Sequence, residues 1–292
     1  MRILRLAASC VATVCLIAAS SLLAHADSDW QKTYPVSGKA SVFSTTGDAS
    51  IEIRSCDNCR EVRVRVEWND RHASDYVITE FQSASHVTFE MKDKVHNSFH
   101  FNIGVHRSPH VTIDTPAITD LEARAEDGSV KVSGLQGTVV LKTGDGSLDV
   151  ADVSGSLRLN TSDGSIRIHN GNGTLDARSS DGRVTIDGRF SALQVYTADG
   201  SLDVTLAEGS RLVSSSRLET GDGHVTLRLP RSFAAELNVD TGDGSIKNDL
   251  PLTSSGGTTP SKSEHSLRGR LNGGGPELSI HSGDGSVTIT AI

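Results

Sequence analysis

The sequence predicts an all-β protein: a repetitive, β-solenoid-like stack of short strands with Asp-Gly turns and roughly 18–23 residues per repeat. Three observations predict it. An Asp-Gly dipeptide in a common setting returns down the chain at a near-constant spacing. The residues on either side of it alternate apolar and polar, the period of a half-buried strand. Aromatic residues make up only 4% of the chain, while Val, Ile, Leu, Gly, Ser, Thr and Asp carry it, which suits many short strands with tight turns.

The first element is an export leader. Arg2 and Arg5 precede an apolar run from about Leu6 to Leu23, and Ala24-His25-Ala26 supplies a small-x-small cleavage site, so residues 1–26 are expected to be a signal peptide cut after Ala26. An uncleaved anchor is the competing reading, disfavoured because Ser, Thr and Cys lace the run. No later stretch is apolar enough to span a membrane. Loss of the leader takes the net charge from −8 to −10, since it carries two arginines and no acid. That balance argues against nucleic acid and anionic lipid surfaces as direct partners.

Residues 27–124 form an irregular N-terminal β region. It opens with an early copy of the repeat, "TGDASIEI" (46–53), in which Ala49 stands where the glycine belongs. Longer strand-like runs follow, "REVRVRVEW" (60–68), "HVTFEMK" (86–92) and "HVTIDTP" (110–116), and they are expected to cap the stack or to start it with larger rungs, because an uncovered strand edge invites aggregation. Cys56 and Cys59 flank Asp57-Asn58 between two strand-like runs and are the only cysteines after the leader. In an oxidising compartment a small structural disulfide is expected; a redox pair is disfavoured because no thioredoxin-like helix follows, and a metal site needs two further ligands. Six histidines crowd the same region: His72, His86, His96, His100, His106 and His110. Solvated histidines on an exposed face are the plain expectation. His96, His100, His106 and His110 are the candidates for zinc or copper, which neutral imidazole suits.

Residues 125–292 form the repeat array. Its copies are "AEDGSVKV" (125–132), "TGDGSLDV" (143–150), "TSDGSIRI" (161–168), "SSDGRVTI" (179–186), "TADGSLDV" (197–204), "TGDGHVTL" (220–227), "TGDGSIKN" (241–248) and "SGDGSVTI" (282–289). The first five follow one another at a constant step of 18. The next steps are 23 and 21, and the last, 41, spans two repeats with a flexible Gly/Ser-rich loop near 252–266 inside it. Each unit reads strand, turn, strand, turn. Stacked parallel coils are the economical assembly, with antiparallel hairpins the alternative that the period alone leaves open. If the coils stack in register, Lys131, Asp149, Arg167, Thr185 and Asp203 lie above one another with largely alternating charge.

The dipeptides themselves, Asp127-Gly128, Asp145-Gly146, Asp163-Gly164, Asp181-Gly182, Asp199-Gly200, Asp222-Gly223, Asp243-Gly244 and Asp284-Gly285, are expected to be structural turns. In an Asx-turn the carboxylate accepts backbone amides and the glycine takes a positive φ. Thr143, Thr161, Ser179 and Thr197 are placed to give that carboxylate a hydroxyl bond. Calcium held between successive turns is the alternative, because stacking puts carboxylates in a column. A phosphate-cradling loop is not indicated, since no Lys follows the glycine and no helix follows the strand. A glycan-active β-helix lyase or hydrolase would need a local, irregular cluster of acid, base and cation, and no such cluster stands out. The sequence offers no catalytic residue and no cofactor site.

The export leader, "SIEIRSCDNCREVRVRVEW", the recurring [TS]-x-D-G-S-[LIV]-x-[VIL] units and "LRGRLNGGGPELSIHSGDGSVTI" (267–289) together resemble a bacterial extracytoplasmic β-strand-repeat family catalogued as "putative adhesin", a domain of unknown function. The resemblance implies a repetitive solenoid-like fold and an extracytoplasmic location, periplasmic or at the cell surface, with some members tied to cell-envelope stress systems. It carries no ligand residues, and the Cys56–Cys59 pair lies outside its repeat. The functional expectation is a secreted or periplasmic non-enzymatic scaffold that presents a β face to an envelope protein or glycan; the competing class is the glycan-active enzyme.

Overall fold

The structure of the protein is a computed structural model that describes residues 29–69, 71–94, 108–253 and 261–292. The expected leader, His96, His100, His106 and residues 254–260 of the Gly/Ser-rich stretch lie outside the described residues.

Period-two alternation becomes strand wherever it occurs. Ala235–Thr241, for example, alternates buried and half-buried side chains along its whole length. In the middle of the array one coil is one copy of the repeat. Gln136–Lys142 runs along a first sheet, residues 143–147 turn the Asp-Gly corner, Leu148–Ala151 returns along a second sheet, and Asp152 and Val153 lead into Ser154–Asn160. Equivalent strands pair in parallel. Gln136 lies opposite Ser154 and Lys142 opposite Asn160, while Leu148–Ala151 lies between Val130–Ser133 and the start of Ile166–Ser179 in the same register. This is the stacked solenoid and not an array of antiparallel hairpins. Two coils have no break at the second corner: Ile166–Ser179 and Val184–Thr197 each run 14 residues through it, with register shifts where they bend.

The core lies between the two sheets and is a stack of aliphatic ladders. Val130, Leu148, Ile166, Val184, Leu202 and Val225 sit one above the next in the second sheet, each fully or almost fully buried. Val139, Leu157, Leu175 and Leu193 do the same in the first. Burying one such side chain contributes about 1.5–3 kcal/mol. The cooperative sum holds the coils together, because a single coil has nothing to bury against.

The coils do not stack in chain order at either end. The early copy, Ala40–Thr46 with Ser50–Cys56, lies between the coil of His86–Asp93 and His110–Pro116 and that of Thr119–Arg124 and Val130–Ser133. The final copy, Glu277–Ser282 with Val287–Ala291, inserts between Ser216–Thr220 with Val225–Leu229 and Ala235–Thr241 with Ile246–Asn248. The long last step is therefore an outer coil followed by a return inward, and not two coils in succession. A division of the chain at 124/125 falls inside one coil, and the buried apolar residues form one continuous cluster.

Antiparallel strands cover both sheets at the N-terminal end and the first sheet at the other. Glu61–Glu67 pairs with His110–Pro116 and Trp30–Pro35 pairs with Glu61–Glu67 on the second sheet; Tyr76–Ser83 pairs with His86–Asp93 on the first. Trp30 packs on Phe89 across the sheets, with ring centroids 5.5 Å apart. The Glu80 carboxylate takes both the Lys32 ammonium and the Tyr34 hydroxyl, clasping one sheet's edge to the other's. At the far end Ser266–Leu271 pairs antiparallel with Ala235–Thr241 and buries Leu267 and Leu271. Charged groups turned inward at an edge and antiparallel covers are what keep an open stack from growing by strand addition. Among the described residues no helix is long and apolar enough to cross a membrane.

Candidate binding surface

The repeated Asp-Gly corner differs in its chemistry from the expected Asx-turn. None of the eight glycines has a positive φ. Each is required for a different reason: a Cβ on Gly146, Gly164, Gly182 or Gly200 would fall far inside van der Waals contact with the carbonyl oxygen of the corresponding glycine one coil away. Where a Ser or Thr stands two residues before the Asp, as in every copy but the first, its hydroxyl does not reach the carboxylate either. Thr161 Oγ1 is within donating distance of two carbonyls of the neighbouring coil, Gly144 at 2.9 Å and Gly146 at 3.1 Å, and accepts the amide of Gly164 at 3.2 Å. Ser179, Thr197 and Thr220 repeat the contact with the corner glycine's carbonyl and the bond from the amide, and Thr143 and Ser282 repeat the contact. The [TS]-x-D-G unit is thus an interlock: a buried hydroxyl bridges two coils through the very carbonyl that excludes a side chain on the glycine.

This also accounts for Ala49. Gly128 abuts the Ala49 carbonyl, so Ala49 begins the column of corners. On its other side lies the coil of His86–Asp93 and His110–Pro116, whose sequence has no Asp-Gly dipeptide. A methyl group is accommodated there, and Ala49 is buried.

The carboxylates of Asp127, Asp145, Asp163, Asp181, Asp199, Asp222, Asp243 and Asp284 are all exposed. No hydrogen bond or ion pair joins them to other described residues, so no Asx-turn forms. Among the described residues no group of three or more His, Cys, Asp or Glu side chains is placed to hold a metal ion. Of the four candidate histidines only His110 is described; it faces Glu52 on the second sheet, Nε2 to carboxylate 3.5 Å. His86 bonds the hydroxyls of Ser41 and Thr88. Cys56 and Cys59 are joined by a disulfide at the end of Ser50–Cys56, Cα atoms 5.8 Å apart, across a turn in which Asn58 takes a φ of 52°.

The outer faces repeat in register as the side-chain spacing predicts. Lys131, Asp149, Arg167, Thr185 and Asp203 lie directly above one another on the second sheet. Arg167 Nη1 reaches Asp149 at 3.3 Å, Lys131 reaches Glu52 at 3.7 Å, and Arg228 pairs with Asp203. Such exposed pairs contribute about 0.2–1 kcal/mol each.

The first sheet's outer face carries a column of a different kind, whose members are far apart in the sequence. Ser41 lies beside His86 and Asp120, and Thr138, Ser156 and Thr174 continue the same column one coil at a time. Ser41, Asp120 and Thr138 floor a shallow trough, and Ser156 and Thr174 continue its column as exposed hydroxyls. Phe43 and Val140, two positions along their strands, form its wall, and at its N-terminal end it holds an open volume of about 570 Å³. Arg124 lies over the Phe43 ring, 5.7 Å from its centroid, and also pairs with Glu122. Asp120 is fixed by Lys39 at 2.8 Å and by the amide of Thr138 at 2.8 Å. Burial pushes the Asp120 carboxyl up, but these hydrogen bonds outweigh it and hold the group below the usual carboxylate range. Gly137, Gly155 and Gly173 border the trough with φ between 124° and 156°, and a Cβ on any of them would strike the coil beneath. The signal was present in "QGTV", "SGSL" and "NGTL", Gly-[ST] pairs that recur at the same point of successive repeats.

The family model described as Toastrack DUF4097 matches residues 41–290. Three solved structures are similar in fold. One, from Parabacteroides distasonis ATCC 8503 and described as a "putative lipid binding protein", shares 15% identity over 89% of this chain and 96% of its own, with a TM-score of 0.50. One from Bacteroides fragilis NCTC 9343, described as a "putative adhesin", shares 11% identity over 91% and 97%, with a TM-score of 0.42. Another of that description, from Parabacteroides merdae ATCC 43184, shares 11% over 89% and 95%, with a TM-score of 0.35. No curated protein sequence matches the chain.

Proposed function

The chain belongs to the Toastrack DUF4097 family, and from that premise we propose that it is a non-enzymatic scaffold, exported from the cytoplasm, that presents a long, evenly repeated β face to an envelope protein or glycan. One observation carries this reading: outward side chains repeat in register coil after coil, so the molecule offers columns instead of a single point. A surface of this kind suits an extended or repetitive partner, and many weak equivalent contacts then add. Export follows from the expected leader and agrees with a disulfide across Cys56 and Cys59. The non-catalytic reading is supported by the state of the trough's acids: Asp120 and Glu122 are both engaged by cations, so neither is poised as a general acid.

The test uses the purified chain and two charge-reversed forms. One carries Arg158→Glu with Arg178→Glu on the first sheet, the other Lys131→Glu with Arg167→Glu on the second. Each is immobilised and challenged with a bacterial cell-envelope fraction, and the retained material is analysed for protein and sugar. The reading expects saturable retention that one of the two forms loses. Retention equal in all three, or release of new reducing ends from polysaccharide by the wild type alone, overturns it.

A further inference from the structure

We propose that the trough on the outer face of the first sheet, floored by Ser41, Asp120 and Thr138, walled by Phe43 and continued along the same column by the exposed hydroxyls of Ser156 and Thr174, binds a linear, uncharged glycan lying along the axis of the stack. This deepens the scaffold reading and rests on it.

The chemistry of the trough matches a sugar chain in three respects. A pyranose ring has an apolar C–H face and a rim of hydroxyls. Phe43 offers an aromatic ring for the first, held in place under Arg124. For the second, the floor presents hydroxyls that both donate and accept, together with the Asp120 carboxylate, an acceptor already oriented by Lys39 and the Thr138 amide. Orienting these groups beforehand removes part of the ordering cost of binding.

The periodicity, the third respect, points to a polymer. Thr138 lies opposite Ser156 and Ser156 opposite Thr174, so the floor repeats one hydroxyl per coil at the strand spacing of about 4.8 Å. A chain of like units running along the axis meets the same donor and acceptor at each step. An extended peptide is disfavoured, because every strand beneath the trough is hydrogen-bonded on both sides and leaves no backbone edge for strand addition.

The experiment titrates the purified chain, by calorimetry, with linear gluco-, manno- and galacto-hexasaccharides. An oligo-uronate and anionic phospholipid vesicles serve as contrasts. Phe43→Ala removes the wall, while Thr138→Arg and Ser156→Arg each fill the floor at an exposed position; Tyr196→Ala, exposed on the same sheet beyond the trough, is the control. Melting temperatures establish that each variant is folded. We expect one of the neutral hexasaccharides to bind, with Phe43→Ala and both arginine variants weakening it by about tenfold or more and Tyr196→Ala by less than about twofold. Binding of the uronate or the vesicles alone, binding indifferent to the trough variants, or no binding of any neutral oligosaccharide overturns the inference. In each of these cases retention of an envelope protein by the wild-type chain would leave the scaffold reading standing.

Discussion

The hydroxyl of Thr161 faces two carbonyl oxygens of the neighbouring coil, that of Gly144 at 2.9 Å and that of Gly146 at 3.1 Å. The Gly146 oxygen occupies the space a side chain on Gly164 would need. Hydroxyl and glycine are therefore one device, repeated at successive corners, and it makes the stack depend on the absence of a Cβ and not on a left-handed backbone.

Gly164→Ala should accordingly destabilise the protein by about 1–3 kcal/mol or more, since the methyl group must displace backbone of the adjacent coil. Thr161→Val should cost about 1–3 kcal/mol by leaving the Gly146 carbonyl and Gly164 amide without their partner. Ala49→Gly, at the end of the column, should cost less than about 1 kcal/mol. Urea denaturation of the three variants checks the order; an Ala49→Gly loss equal to that of Gly164→Ala would contradict the interlock.

The corners close through hydroxyl and amide groups of the chain itself, so they need no ion. Adding chelator should leave the melting temperature unchanged, and added calcium should not raise it. A fall in chelator that calcium reverses would instead place ions along the Asp127–Asp199 edge.

Asp149 sits between Lys131 and Arg167 in register. Asp149→Lys should cost about 1 kcal/mol at low salt, and added salt should relieve much of it, because exposed charges are screened over about 10 Å at 0.1 M. Combining it with Lys131→Asp and Arg167→Asp restores the alternation with inverted sign and should restore stability. Denaturation at two salt concentrations reads the effect; strict additivity without salt dependence would contradict the contacts in the column.

The Glu80 clasp makes the N-terminal end acid-sensitive. Burial raises the Glu80 carboxyl, but hydrogen bonds from Lys32 and Tyr34 outweigh it and leave the group below its ordinary value. A depressed carboxyl contributes stability that is present above its unfolded value and lost as pH falls through the folded one. The melting temperature should therefore fall from pH 6 to pH 3 more steeply in the wild type than in Glu80→Gln. Asp93 acts in the opposite sense: burial, then Asp48, raises its carboxyl, with Glu126 adding to the rise. Its charge costs stability at neutral pH, and Asp93→Asn should raise the melting temperature there.

Cys56 and Cys59 should be oxidised to each other in exported material. The loop is short, so the stabilisation is modest, and intact-mass analysis after alkylation without reductant should find no modified thiol.

The sequence by itself determined the coil. Its constant period, the alternation that buries Leu148 and Val150, and the vertical order of Lys131, Asp149 and Arg167 are all local, because a strand's two faces follow from residue parity. Only the tertiary structure decided that the coils stack in parallel, since a repeat of this length serves hairpins as well. It also decided the order at the ends. Nothing in "SGDGSVTI" distinguishes an outermost coil from one inserted beneath Ala235–Thr241, because both bury the same inner residues and differ only in which neighbour covers them. The reason for the corner glycines was likewise hidden: Gly146 reads as a turn residue until the carbonyl of Gly128 is seen against it, and that contact is made across one full coil of the chain. The trough was hidden for the same reason, since Ser41, Asp120 and Thr138 become neighbours only when the first copy of the repeat is set between coils that come after it.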